Sequence, residues 1–139
     1  MQWSDVVAQV RRSWTLAEED PDWCGLLLER DGRRQRVLVH RARGQDAITL
    51  SAQVCPSRYI DPRHALEYNG LAEPWALGLF DDVYLLRRTI ALAALSERDV
   101  ADAIEAIAAE AVRLYHLRVA APTEAQGEQR AQLFAHWWA

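Results

Sequence analysis

The stretch from Trp75 to Arg118 constrains the fold most, because it reads as two short strands, a tight turn between them, and the longest helix the chain can support. Trp75, Leu77 and Leu79 alternate along the first strand, and Tyr84, Leu86, Ile90 and Leu92 fall on one side of the second. A period of two is the pattern of strands buried on one face, so the pair predicts a hairpin turning at Asp81-Asp82. Val100, Ile104, Ile107, Ala111 and Leu114 then recur at steps of three and four, with Asp102, Glu105, Glu110 and Arg113 away from that stripe. Ser96 is the expected N-cap; Glu97 and Asp99 suit the positive end of the helix dipole, and Arg113, His116 and Arg118 the negative end. A helix with one apolar stripe needs a sheet to cover.

The residues before this stretch supply that sheet. Ser4 is the expected N-cap of a first helix whose apolar face carries Trp3, Val7, Val10 and Trp14, and Glu18 to Asp22 reads as an acidic, solvated loop. Leu26 and Leu28 alternate up to Asp31-Gly32, a dipeptide that supplies the positive φ angles of a two-residue hairpin turn. The return strand has apolar groups on both faces, Val37 and Val39 against Leu38, which marks it as central. In the third strand Ile48, Leu50, Ala52 and Val54 point one way, while Thr49, Ser51 and Gln53 give a wet face, and Pro56 ends the ladder. Asp61-Pro62 opens a short helix over Arg63 to Tyr68, with Asn69-Gly70 as its left-handed C-cap. The predicted class is α+β: helix, three-stranded antiparallel meander, short helix, β-hairpin, long C-terminal helix, and an apolar tail segment.

With 139 residues, half of them hydrophobic, the chain suffices for one domain with a real core. Residues 1–121 are expected to form that domain and 122–139 a tail, helical near its end. No apolar run approaches the roughly 20 residues that span a bilayer, and the N-terminus has no secretory pattern, so a cytoplasmic location is expected. All sixteen basic residues are arginine, a bias that fits the codon usage of a G+C-rich bacterial genome. They are scattered, and the net charge is −4, which argues against nucleic acid as a partner.

Motifs that carry chemistry are missing: there is no Gly-rich phosphate loop, nucleophile elbow, zinc-protease helix or calcium loop, and nothing calls for a cofactor or a metal. Cys24 and Cys55, the only cysteines, are expected at opposite ends of the meander with a strand between them, hence free. The one nucleophile and base pairing to consider is Cys55 with His40 or His64, and no spacing requires it.

The run Ala65-Leu66-Glu67-Tyr68-Asn69-Gly70, followed by Trp75 to Ala111 with its Ala-Leu-Gly-Leu-Phe-Asp-Asp-Val-Tyr-Leu-Leu-Arg-Arg hairpin, resembles the type III secretion chaperone-like superfamily. That superfamily includes class I chaperones of secreted effectors and YbjN-type proteins. The resemblance spans most of Ser4 to Arg118 and implies a noncatalytic domain, commonly a homodimer, that holds a segment of a partner protein such as a secreted effector. Alternatives are a YbjN-type regulatory or structural role in a larger assembly, and the Cys/His enzyme. Leu66, Tyr68 and Trp75 are the expected partner or dimer contacts within the domain.

The tail departs from the superfamily. Leu133, Phe134, Trp137 and Trp138 fall on one face at helical spacing, and so apolar a chain end needs a surface to cover it. Because the open side of the sheet offers Thr49, Ser51 and Gln53, the expected dock is an interface, within the dimer or with the partner. Deletion after Pro122 is then expected to spare the fold and weaken association.

Overall fold

The computed structural model describes residues 1–119 apart from 43 and 45. The element order is α1 (Trp3–Ser13), β1 (Glu18–Asp20), β2 (Trp23–Arg30), β3 (Arg33–Ala42), β4 (Ala47–Pro56), α2 (Pro62–Leu71), β5 (Ala76–Phe80), β6 (Val83–Ala91) and α3 (Glu97–Arg118). All six strands form one antiparallel sheet in the order β1-β2-β3-β4-β6-β5. The meander and the later hairpin are joined where β6 pairs with β4, from Ala47 opposite Ala91 to Pro56 opposite Val83.

Both tight turns form as their sequences dictate. Asp31 and Gly32 take φ of 48° and 77°, and Asp81 and Asp82 take 48° and 62°, the doubly positive conformation that matches the twist of a two-residue hairpin. α3 lays Val100, Ile104, Ile107, Ala111 and Leu114 against the sheet, packing chiefly across β4 and β3, and α1 packs beside it. At the start of α3, the Asp99 carboxylate accepts from the Ser96 N–H at 2.7 Å. That bond to the charged form holds the Asp99 carboxyl below its usual range. Cys24 and Cys55 are free, buried thiols.

Four local expectations are corrected. The cap of α1 is Gln2 rather than Ser4, because Asp5 accepts from the Gln2 N–H at 2.8 Å and starts the helix two residues earlier. Val6, Gln9 and Val10 are then the residues buried from α1. Glu18 to Asp20 is an edge strand rather than a loop: its backbone pairs with Trp23 to Gly25 while its carboxylates stay in solvent. α2 continues through Asn69 and Gly70 to Leu71, since the Asn69 side chain is engaged elsewhere and takes no capping role. Thr49 and Ser51 are not wet; each is 7% exposed, the floor of a groove between longer side chains.

Candidate functional site

One face of the sheet is covered by α3 and the other, called here the outer face, is not. β5 lies at the margin of the area covered by α3 and is packed chiefly by α2. Two bonds fix that packing: Asn69 Nδ2 donates to the Leu77 carbonyl at 2.9 Å, and the Leu77 N–H donates to Asn69 Oδ1 at 2.6 Å. The amide therefore acts as a one-residue strand, filling the position on the open edge of β5 that a neighbouring backbone would take. Leu79, two residues along, points its N–H and C=O the same way. Buried Tyr68 holds the other side of α2, its hydroxyl donating to Glu110 of α3 at 3.2 Å. Burial first, and then the Glu110 carboxylate, push the Tyr68 phenol well up, so it stays a neutral donor.

This arrangement leaves three large apolar side chains in solvent around the β5 edge: Leu66 at 73% exposure, Leu71 at 59% and Leu79 at 52%. Half-buried Trp75 borders them, with the Arg88 guanidinium 5.5 Å from its ring centroid. Of the three expected contacts within the domain, Leu66 and Trp75 reach this surface, whereas Tyr68 is 1% exposed and anchors α2 to α3. Leu133, Phe134, Trp137 and Trp138 lie outside the described residues. Sequence reasoning missed Leu71 and placed Leu79 inward with Leu77; the uncharged run Ala-Leu-Gly-Leu-Phe was the available signal that both sides of this strand are apolar.

The outer face carries a second surface, a shallow groove of about 380 Å³. Thr49 and Ser51 form its floor, and His40, Phe80, Leu85 and Arg87 are among its walls. Trp23 stacks on His40 with centroids 6.1 Å apart, and Thr49 shares a 3.1 Å hydroxyl contact with Thr89. Two glycines on the same face make room for neighbouring side chains. The Leu38 side chain leans over Gly25, where an added Cβ would lie 3.1 Å from Leu38 Cδ2, and Phe80 folds over Gly78, where the gap would be 2.7 Å. Phe80 and Leu27 are each 43% exposed and Leu38 and Leu85 half-buried, with exposed Arg36 and Gln53 between Leu27 and Leu85. Burial, then Arg87 and Arg36, push the His40 pKa down, which favours neutral imidazole on this face.

The Cys55 and His40 pairing is not assembled: His40 lies on the outer face, whereas Cys55 is buried on the helix side near Arg33 and Arg118. Burial raises the Cys55 thiol to about 11, against the direction nucleophilic chemistry needs. Among the described residues no group of three His, Cys, Asp or Glu converges to hold a metal, and no helix is long and apolar enough to cross a membrane.

No protein-family model matches the chain, and no curated protein matches it. Solved structures do. A chain of the ExsC-ExsE complex is similar with a TM-score of 0.69 at 14% identity, over 87% of this chain and 100% of that one. The HopA1-SchA chaperone-effector complex gives 0.52 at 14% identity, over 75% and 90%. The heterodimeric ExoU-SpcU complex from the type III secretion system of Pseudomonas aeruginosa gives 0.54 at 14% identity, over 83% and 98%. The chain thus has the type III secretion chaperone-like fold that its hairpin and long helix suggested.

Proposed function

We propose that the chain is a noncatalytic module that binds a segment of another protein and works as a homodimer. The observation that carries this reading is the pair of apolar surfaces on either side of β5: Leu66, Leu71 and Leu79 beside the edge, and Phe80 and Leu85 on the outer face. Clustered large side chains of this kind mark interaction sites on small proteins. The edge surface suits a second copy, because a strand edge and an amphipathic helix can meet their own equivalents across a two-fold axis. The outer groove suits a partner segment: its floor of Thr49 and Ser51 is shallow, and Phe80 and Leu85 in its walls would hold apolar side chains. That the similar structures are complexes, one of them named as a chaperone with its effector, supports the same assignment. We place the protein in the bacterial cytoplasm, where two buried thiols stay reduced.

The test is sedimentation of the full chain, combined with capture of partner proteins from the source cells by wild type and by Leu85→Glu. The expected results are a dimer at micromolar concentration and a specific protein retained by wild type but released by Leu85→Glu with the dimer intact. A folded monomer overturns the dimer, and equal capture by both forms overturns the groove.

A further inference from the structure

We propose that the outer groove selects an acidic segment of a partner protein: an extended stretch that carries a carboxylate to meet Arg87 and, two residues along, a large apolar side chain to rest on Leu85 and Phe80. This rests on the functional reading above, which gives the groove a partner segment, and adds the chemistry that the segment must have.

The register sets out the groove row by row. β4 is its floor, and β3 and β6 stand on either side, two strand spacings or about 9.5 Å apart. Thr49 lies between His40 and Thr89, Ser51 between Leu38 and Arg87, and Gln53 beside Leu85. Short hydroxyl side chains therefore lie below cationic walls. Carboxylates on this face keep to β1 and β2, and each has a neighbour there: Glu18 pairs with Arg36, Glu29 stands opposite Arg34, and Asp20 accepts from the Asp22 N–H at 3.2 Å. The charges acting on His40 are both cationic, Arg87 and Arg36. Arg41 lines the end of the groove and shares a separate cavity with Asp46. Arg87 is the cation left over: it is exposed, and among the described residues it forms no salt bridge. A chain of net charge −4 thus presents a positive wall here, and a carboxylate is what it attracts.

The apolar half of the recognition lies beside that charge. The Arg87 guanidinium is 5.1 Å from the Phe80 centroid, and Phe80 folds over Gly78, which is opposite Leu85. Leu85 and Arg87 are two residues apart on β6, so same-face side chains of an extended segment, about 6.8 Å apart, can meet one each. A lone inorganic anion fits less well, because a single exposed ion pair is weak. Nucleic acid fits less well too, since one unpaired arginine is not a basic stripe.

The test is an NMR titration of the isotope-labelled full chain with short blocked peptides of the form Thr-Glu-Thr-Leu-Thr, with analogues carrying Gln or Lys in place of Glu, with inorganic phosphate, and with an oligouridylate of the same length. The expected result is that the Glu peptide moves the amide signals of Thr49, Ser51 and Leu85 and binds about tenfold more tightly than the Gln analogue. In Arg87→Glu, an exposed substitution whose fold the same spectrum checks, the order should reverse in favour of the Lys analogue. Equal binding of the Glu and Gln peptides at those signals, or an unchanged order in Arg87→Glu, overturns the acidic selection while leaving the groove as a segment site. No shift at those signals with any peptide overturns the selection and the groove together. Phosphate alone matching the Glu peptide, or tighter binding of the oligouridylate at the same signals, also overturns the proposal.

Discussion

The two edges of the sheet occupy equivalent positions and are built in opposite ways. β1 is three residues long, Glu18-Glu19-Asp20, every one exposed and acidic. Its charges are tied to the body of the protein, Glu18 to Arg36 and Glu19 to Arg11. A strand approaching this edge meets a short ladder and three carboxylates to desolvate, which is how natural sheets discourage pairing. β5 is five residues, Ala-Leu-Gly-Leu-Phe, without a charge, and it leaves Leu79 and Phe80 in solvent. Among the described residues only its first bonding position is filled, by the Asn69 amide. The lesson is that exposure of a sheet edge is not the signal of a binding surface; what matters is whether the sequence has defended that edge.

The comparison is broken most directly by defending β5 as β1 is defended. Leu79→Lys is expected to weaken self-association by about 100-fold, or about 3 kcal/mol, as judged by sedimentation, since a charge would have to be buried beside the open backbone groups. Glu19→Ala at the other edge should leave association unchanged and cost at most about 1 kcal/mol of stability, the scale of an exposed ion pair. Equal effects at both edges would mean that the contrast has no role in assembly.

A smaller effect sharpens what holds β5 in place. Asn69→Ala removes both bonds to Leu77 and should lower stability by about 1–3 kcal/mol in denaturant unfolding, the cost of stranding part-buried backbone groups. Hydrogen exchange should speed at β5 while β1 keeps its rate. The smallest effect concerns the turn beside Phe80. Asp82 holds φ of 62°, a left-handed conformation that glycine adopts without steric cost, so Asp82→Gly should raise stability by about 0.5–1 kcal/mol and leave association untouched.

Local rules account for what was legible in advance. The alternation of Tyr84 and Leu86, the stripe from Val100 to Leu114, the Asp31-Gly32 and Asp81-Asp82 turns and the Asp61 cap each depend on neighbours a few residues apart, and each formed as read. The errors share another character. Asn69-Gly70 has the composition of a helix stop, yet Asn69 spends its amide on Leu77 eight residues away, and the helix runs on. Glu18 to Asp20 is locally loop-like, and only the proximity of β2 makes it a strand. Thr49 and Ser51 alternate as wet residues do, and only Leu38, His40, Leu85 and Arg87 across the neighbouring strands bury them. Leu66 and Trp75 were named as contacts from sequence, while the exposure of Leu71, Leu79 and Phe80 was not foreseen, because an apolar residue inside and one outside are spelled the same way.

By itself the sequence determined every helix and every strand but β1, how the hairpins turn and which stripe of α3 is apolar, because periodicity and backbone sterics act over one or two turns of chain. The tertiary structure decided that β6 joins β4 to make one sheet, that α3 covers its centre and stops short of β5, and therefore which apolar side chains remain in solvent. Burial is a property of what lies opposite a side chain, and opposite neighbours are brought by closing loops whose cost grows only slowly with length, so adjacency in the chain carries little information about them.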